Sequence, residues 1–297
     1  MEADLPESAI GILSRVRFDK VTVSPSIVMD ALAACLEWKQ CHHDSALGNG
    51  TLRTVKKLFG WLQKTIPFNN DEPIRQLAEL ERDFLSLLDG FGALPTTLIR
   101  YLSDDPKFFA QLIALIFRSK DESDTESTEE QQRTASHWYR LLMNWNRIPG
   151  TQSDGSVNED ELLQWLESAR SLCHDSGHLE VADSQIGQML ASRAQPKDAD
   201  AMWPCEEICD AIEEANSDDL DRGFQIGVRN RRGVTTRSPL DGGDLERKEA
   251  AKYRRWAELC DIDWPRTAAS LRSVAASYEF DAQREDARAA ERSQDRY

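Results

Sequence analysis

Asp71-Glu-Pro-Ile-Arg-Gln-Leu-Ala-Glu-Leu-Glu-Arg-Asp-Phe-Leu-Ser-Leu-Leu88 places Ile74, Leu77, Leu80, Phe84, Leu85 and Leu88 at spacings of three and four. Only Glu81 breaks this stripe. An apolar face with that period belongs to an amphipathic helix packed on a core, not to a strand. The same period recurs on both sides. Ser24-Pro25 reads as a cap and a first-turn proline opening a helix through Ile27, Val28, Ala31, Leu32, Cys35 and Leu36. Asn49 to Lys64 repeats it with Leu52, Val55, Leu58, Phe59 and Leu62. Beyond Gly90 and Gly92, Pro95 starts a helix to Leu102, and Asp104-Asp105-Pro106 caps another through Phe117. Val16 to Val23 alone reads as a possible strand. The short connections imply antiparallel neighbours.

Arg118 to Arg133 contain no apolar residue. Residues 119–130 are expected to form a mobile acidic loop between an N-terminal helical part, 1–118, and a C-terminal one, 131–297. Thr128 is expected to cap a helix carrying Trp138, Leu141, Leu142 and Trp145 on one stripe. Further helices are expected at 158–176, 180–193, 204–215, 217–227, 244–260 and 265–292. The loops at 148–157, 194–203 and 228–243 hold the Gly, Pro, Ser and Asp that break them. The fold class is therefore all-α, an irregular αα-hairpin array resembling a solenoid, with no fixed repeat period.

The composition fits this reading. Forty per cent hydrophobic residues, with eight Trp and ten Phe, supply a core. The charged fraction, 30%, exceeds the usual level of roughly 25% and suits helices with solvated faces. A net charge of −16 repels phosphate and anionic lipid over the molecule as a whole. The longest apolar run, Phe108 to Phe117, is half the roughly 20 residues of a membrane span and contains Gln111. The first residues lack the pattern of a signal peptide, so a cytoplasmic chain with reduced thiols and no membrane partner is expected. Cys35, Cys41, Cys173, Cys205, Cys209 and Cys260 lie mostly among Ala, Leu and Ile, as small buried hydrophobes do.

One segment reverses the overall charge. Between Asp221 and Asp241 there is no acid, while Arg222, Arg229, Arg231, Arg232 and Arg237 fall in or beside a stretch with Gly227, Gly233, Thr235, Thr236 and Ser238. Guanidinium forks match phosphate or carboxylate, hydroxyls add donors, and glycine lets a backbone approach a ligand. Arg229, Arg231, Arg232, Arg237, Thr235 and Thr236 are thus the candidate ligand- or partner-binding residues. Two other readings compete. The arginines could pair with Asp218, Asp219, Asp221 and Asp244, pinning a loop to helices, or could meet the acidic face of a partner protein. No Gly-Lys-Ser/Thr follows the glycines, so no phosphate-loop motif is present.

Other chemistries find less support. Asp154 to Glu161 resembles the second half of an EF-hand loop, but Gly150 and Gln152 fall where anionic ligands belong. A turn at Asp154-Gly155 with Asn158 capping the next helix explains the same residues. Cys173, His174 and His178 with Cys205 and Cys209, or Cys35, Cys41, His42 and His43, lack the usual zinc spacing. Trp203-Pro204 and Trp264-Pro265 read as apolar anchors ahead of helix starts. Beyond Asp281, only alanines interrupt the charged residues, which reads as a solvated helical extension. No Gly-x-Ser-x-Gly motif appears, and no catalytic pair stands out among 52 acids. No catalytic residue, metal or cofactor is assigned, and an enzyme with a site assembled from dispersed residues is the third and least favoured reading.

From Trp203 onward, Arg-Gly-Val-Thr-Thr-Arg-Ser-Pro-Leu-Asp-Gly-Gly at 232–243, Lys252-Tyr-Arg-Arg-Trp-Ala257 and Trp264-Pro-Arg-Thr-Ala268 resemble the C-terminal helical region of long, largely uncharacterised bacterial proteins. Some of these accompany multidomain NTPase or antiphage-type systems. The resemblance covers roughly the last third of the chain and carries no catalytic residues. It implies a C-terminal portion or subunit of a larger bacterial assembly, with a link to defence. The expected function is a helical scaffold or adaptor that binds another protein. The alternative is a nucleic-acid or nucleotide sensor holding phosphates through the Arg229–Arg237 segment.

Overall fold

The computed structural model describes residues 5–18, 20–41, 48–68, 72–85, 94–117, 128–196, 201–233, 236, 238 and 241–294. They form thirteen helices: α1 Leu5–Arg15, α2 Pro25–Cys41, α3 Asn49–Thr65, α4 Glu72–Asp83, α5 Thr96–Asp104, α6 Pro106–Ile116 and α7 Glu129–Met143. There follow α8 Glu159–Asp175, α9 Leu179–Leu190, α10 Glu206–Ala215, α11 Asp218–Asn230, α12 Asp244–Cys260 and α13 Pro265–Gln294. The described residues include no β-strand; Thr151 and Val157 make an isolated antiparallel bridge. The all-α reading holds. Val16 to Val23 is not a strand: the amides of Lys20 and Val21 both donate to the Arg17 carbonyl in a turn. Among the described residues no strand lies beside this alternating segment, and alternation without a pairing partner does not make a strand.

The chain divides into two compact units, residues 1–102 with 126–144 and residues 103–125 with 145–297. They do not correspond to a single cut at 119–130. Helix α6, before the acidic segment, belongs to the second unit, and α7, after it, belongs to the first. Most of that acidic segment lies outside the described residues.

In the first unit, α1 to α4 bury Ile10, Val28, Leu32, Leu58, Phe59, Leu62, Ile74, Leu77 and Phe84 in one core. Phe59 and Phe84 meet edge to face at 5.4 Å. Glu81, the break in the α4 stripe, is fully buried. Its carboxylate accepts hydrogen bonds from the amides of Thr97 (3.3 Å) and Leu98 (2.9 Å) and from Gln63 Nε2 (2.8 Å). The first amides of α5, which have no intrahelical acceptor, are thereby satisfied from a neighbouring helix.

In the second unit, α6 packs on α8, α9 on α11, and α12 on α13. Phe109, Trp145 and Trp165 form an aromatic trio at 5.2 to 5.5 Å. Trp145 lies beyond the end of α7 instead of on its stripe. Its indole N–H donates to Ser103 Oγ at 2.9 Å. The turn before α8 follows the capping reading: Asp154 Oδ1 accepts from the Ser156 amide, and Asn158 Oδ1 accepts from the Glu161 amide.

Candidate functional site

The site starts from small residues. A Cβ on Gly187 would overlap the carbonyl oxygen of Leu220, one on Gly223 would overlap that of Ser184, and one on Gly227 would lie 2.8 Å from Ala191 Cβ. Helices α9 and α11 therefore touch backbone to backbone. Gly227 serves this contact instead of ligand approach, which corrects its sequence reading. Helix α11 also continues through Val228, buried in the core, to Asn230. Arg229 thus stands on a helix, not in a loop, because the apolar stripe outlasts Gly227.

The close crossing sets the last turn of α9 beside the last turn of α11, and α12 supplies a third wall. Between them lies a cleft of ≈ 460 Å³ whose lining includes Ser192, Arg193, Gln195, Arg231, Arg232, Glu249, Lys252 and Tyr253. Beneath it, Trp203 packs on Phe224 (5.6 Å) and Trp256 (5.1 Å), and Tyr253 stacks on Tyr278 (5.7 Å). The Trp203 indole donates to the Arg193 carbonyl at 3.2 Å and fixes the chain where it leaves α9.

Four cations line the cleft, and their partners differ. Arg232 pairs with the buried Glu246 at 2.9 Å and lies 5.1 Å from the Tyr278 ring centre. Lys252 pairs with Glu249 at 2.5 Å and donates to Gln195 Oε1 at 3.1 Å. Arg193 donates to the Gly155 carbonyl at 2.6 Å. Arg231 donates to the Trp145 carbonyl at 3.4 Å. Desolvation by the cleft walls lowers the pKa of Arg231, with no carboxylate raising it. Ser192 Oγ, a buried hydroxyl, has no hydrogen-bond partner among the described residues. Burial holds the Tyr253 hydroxyl well above its usual pKa, so it stays protonated while Gln195 Nε2 donates to it at 2.8 Å. The carbonyl-rich ends of α9 and α11 carry partial negative charge, and nearby arginines also offset it, by about 0.3–1 kcal/mol each.

The six sequence candidates separate. Arg231 and Arg232 line the cleft. Arg229 is bound to α13, pairing with Asp281 at 2.7 Å and donating to Ser277 Oγ. Thr236 is exposed. Thr235 and Arg237 lie outside the described residues. Arg193, Lys252, Ser192 and Gln195 carry no local sequence signal of a site, because their convergence is tertiary. Arg222 pairs with Asp219 at 3.2 Å, one turn away on the same helix, so this pair pins no loop.

The metal alternatives do not assemble among the described residues, where no group of three or more His, Cys, Asp or Glu side chains could hold an ion. Burial, aided by Asp183, pushes the Cys173 thiol up to about 12. His178 uses Nε2 on the Phe117 carbonyl and Nδ1 on Ser176 Oγ. Cys209 donates to the Pro204 carbonyl at 3.7 Å. No described helix is long and apolar enough to cross a membrane.

Fold and cleft together define an all-α protein with a basic, polar recess in an acidic chain. No protein-family model matches it, and neither curated proteins nor solved structures include a match.

Proposed function

We propose that this protein binds a small anionic molecule of the phosphate class in the cleft between α9, α11 and α12. The observation carrying this reading is the convergence of Arg193, Arg231, Arg232 and Lys252 on one recess of ≈ 460 Å³ in a chain of net charge −16. That volume falls within the roughly 300–1,000 Å³ of small-molecule sites. The negative charge of the whole chain disfavours long nucleic acid, whose binding draws on an extended cationic surface. A recess suits a nucleotide-sized ligand better.

The test is calorimetric titration of the full chain with mononucleotides and sugar phosphates at fixed ionic strength, beside Arg231→Gln. Saturable binding that weakens in the variant supports the proposal. Absence of heat with every anion up to millimolar concentration would overturn it.

A second reading, the helical scaffold for another protein, is favoured by two large apolar side chains left in solvent, Ile262 at 91% and Phe280 at 61% exposure. Single apolar side chains on a surface are common, so this reading has less behind it. It extends to a subunit of a bacterial assembly, with a role in defence through the resemblance of the last third. Its test is co-purification: one protein retained after nuclease treatment and lost with Phe280→Ser supports it, and retention unchanged in that variant removes Phe280 from it.

A further inference from the structure

We infer that the cleft takes a phosphomonoester dianion, the terminal phosphate of a sugar phosphate or nucleoside monophosphate, held between Arg193 and Arg231. This rests on the anion-binding reading of the same cleft. Of the four cations, Arg232 is neutralised by Glu246 and Lys252 by Glu249. Arg193 and Arg231 have only the carbonyls of Gly155 and Trp145 as hydrogen-bond partners, and neither forms an ion pair among the described residues. Two formal positive charges are therefore left uncompensated by carboxylates. The ends of α9 and α11 offset part of this, with about half a negative charge each, and the balance stays positive.

The donor inventory narrows the ligand further. A guanidinium has five N–H donors, so one bond to a carbonyl leaves each arginine most of its fork. A phosphomonoester offers three terminal oxygens and a charge of about −1.5 to −2 at neutral pH. Two arginines can share those three oxygens. A phosphodiester or a carboxylate offers two oxygens and a single charge, which leaves one of the arginines short of an acceptor. Polyphosphates exceed the free charge, since the other two cations already have carboxylates. The remaining lining sets Gln195, Glu249 and Tyr253 beside Ala191, Ala194 and Val228, which gives the organic part of the ligand both polar partners and an apolar wall.

The experiment is calorimetry on the full chain at constant ionic strength, with ribose 5-phosphate, adenosine 5′-monophosphate, adenosine 3′,5′-cyclic monophosphate, adenosine and pyrophosphate as probes. Either monoester is expected to bind, and the cyclic diester at least about tenfold more weakly, the loss of one charge-assisted hydrogen bond of about 1.5–3 kcal/mol. Which monoester binds tighter separates the sugar-phosphate source from the nucleotide source. Affinity should fall as pH drops from 7.5 to 5.5, through the second phosphate ionisation near roughly 6. Arg193→Gln and Arg231→Gln should each weaken binding about tenfold or more, with melting temperatures close to wild type. Equal binding of monoester and diester, or tighter binding of pyrophosphate, would overturn the inference and leave the anion-binding cleft standing, whereas binding indifferent to both variants would overturn the inference and the cleft reading together. Failure of all anions to bind removes the cleft reading itself and this inference with it.

Discussion

Gly223 meets Ser184 backbone to backbone where α11 crosses α9, with no room for a Cβ between them. Gly187 and Gly227 flank the crossing in the same way. The spacing of Gly223 and Gly227 by four puts both on one helix face, so the contact is a groove cut along α11. Close approach of two helices lets their last turns share the cleft.

Replacing Gly223 with alanine therefore inserts a methyl group into rigid backbone. Overpacking of this kind costs about 1–3 kcal/mol, more than the roughly 1 kcal/mol that alanine contributes as a better helix former. Gly223→Ala is expected to lower the melting temperature of the second unit. Gly60→Ala is the control, since a Cβ on Gly60 in α3 meets nothing within 4 Å; it should raise stability by about 0.5–1 kcal/mol. A Gly223→Ala variant as stable as wild type would show that α9 and α11 are not held at this separation.

Glu81 predicts a different loss. Glutamine in its place keeps one acceptor oxygen for three donors, Gln63 Nε2 and the amides of Thr97 and Leu98. An orphaned buried amide costs about 1–3 kcal/mol, so Glu81→Gln should destabilise the first unit by that amount. Hydrogen exchange at the start of α5 should quicken in the same variant. Unchanged protection of the Thr97 and Leu98 amides would contradict the cap assignment.

Asp221 sets a pH dependence. Its carboxylate lies 2.8 Å from Arg266 Nε, but that contact lacks hydrogen-bond alignment, and Asp221 Oδ1 has no hydrogen-bond partner. Burial outweighs the Arg266 charge and pushes Asp221 up to about 6, from an ordinary 3.8. A carboxyl raised in the folded state binds its proton more tightly there than when unfolded. Its contribution is thus fully present below the ordinary value and lost as pH rises through about 6. Melting curves of wild type and Asp221→Asn should diverge in favour of wild type as pH falls from 7 toward 4. Parallel curves over that range would remove Asp221 as the source.

How far the sequence leads depends on the range of the interaction concerned. Helices α12 and α13 are legible almost to the residue, since Gly242 and Gly243 break the chain before one and Pro265 opens the other. These are local backbone preferences. Glu81 is visible as a flaw in an apolar stripe, yet its partners come from α3 and α5, beyond any local pattern. Arg231 and Arg232 stand out by charge reversal. Arg193 and Lys252 do not, because they join them through the glycine crossing and the packing of α12. The sequence marks Gly227 as a place of close approach without saying that the approaching body is α9.

The last prediction separates the two neighbouring arginines. Arg232 reaches inward to Glu246, which is 1% exposed, and its guanidinium also lies over Tyr278. Removing one member of a buried ion pair leaves the other charge in a poorly solvated place, at a cost of about 3–5 kcal/mol. Arg232→Gln should therefore destabilise the second unit strongly, whatever it does to ligands. Arg231 is exposed as a residue, although partial burial of its guanidinium lowers its pKa, and it holds a long bond to the Trp145 carbonyl. Arg231→Gln should change stability by about 0.5 kcal/mol or less, as surface substitutions do, while reducing anion binding. Chemical denaturation of both variants beside phosphate titration reads the two effects apart. If Arg231→Gln unfolds the unit as readily as Arg232→Gln, Arg231 is a structural residue and the cleft loses its principal anion contact. If Arg232→Gln is silent, the Glu246 pairing does not hold α11 to α12, and the floor of the cleft depends on the aromatic packing of Tyr253 and Tyr278 alone.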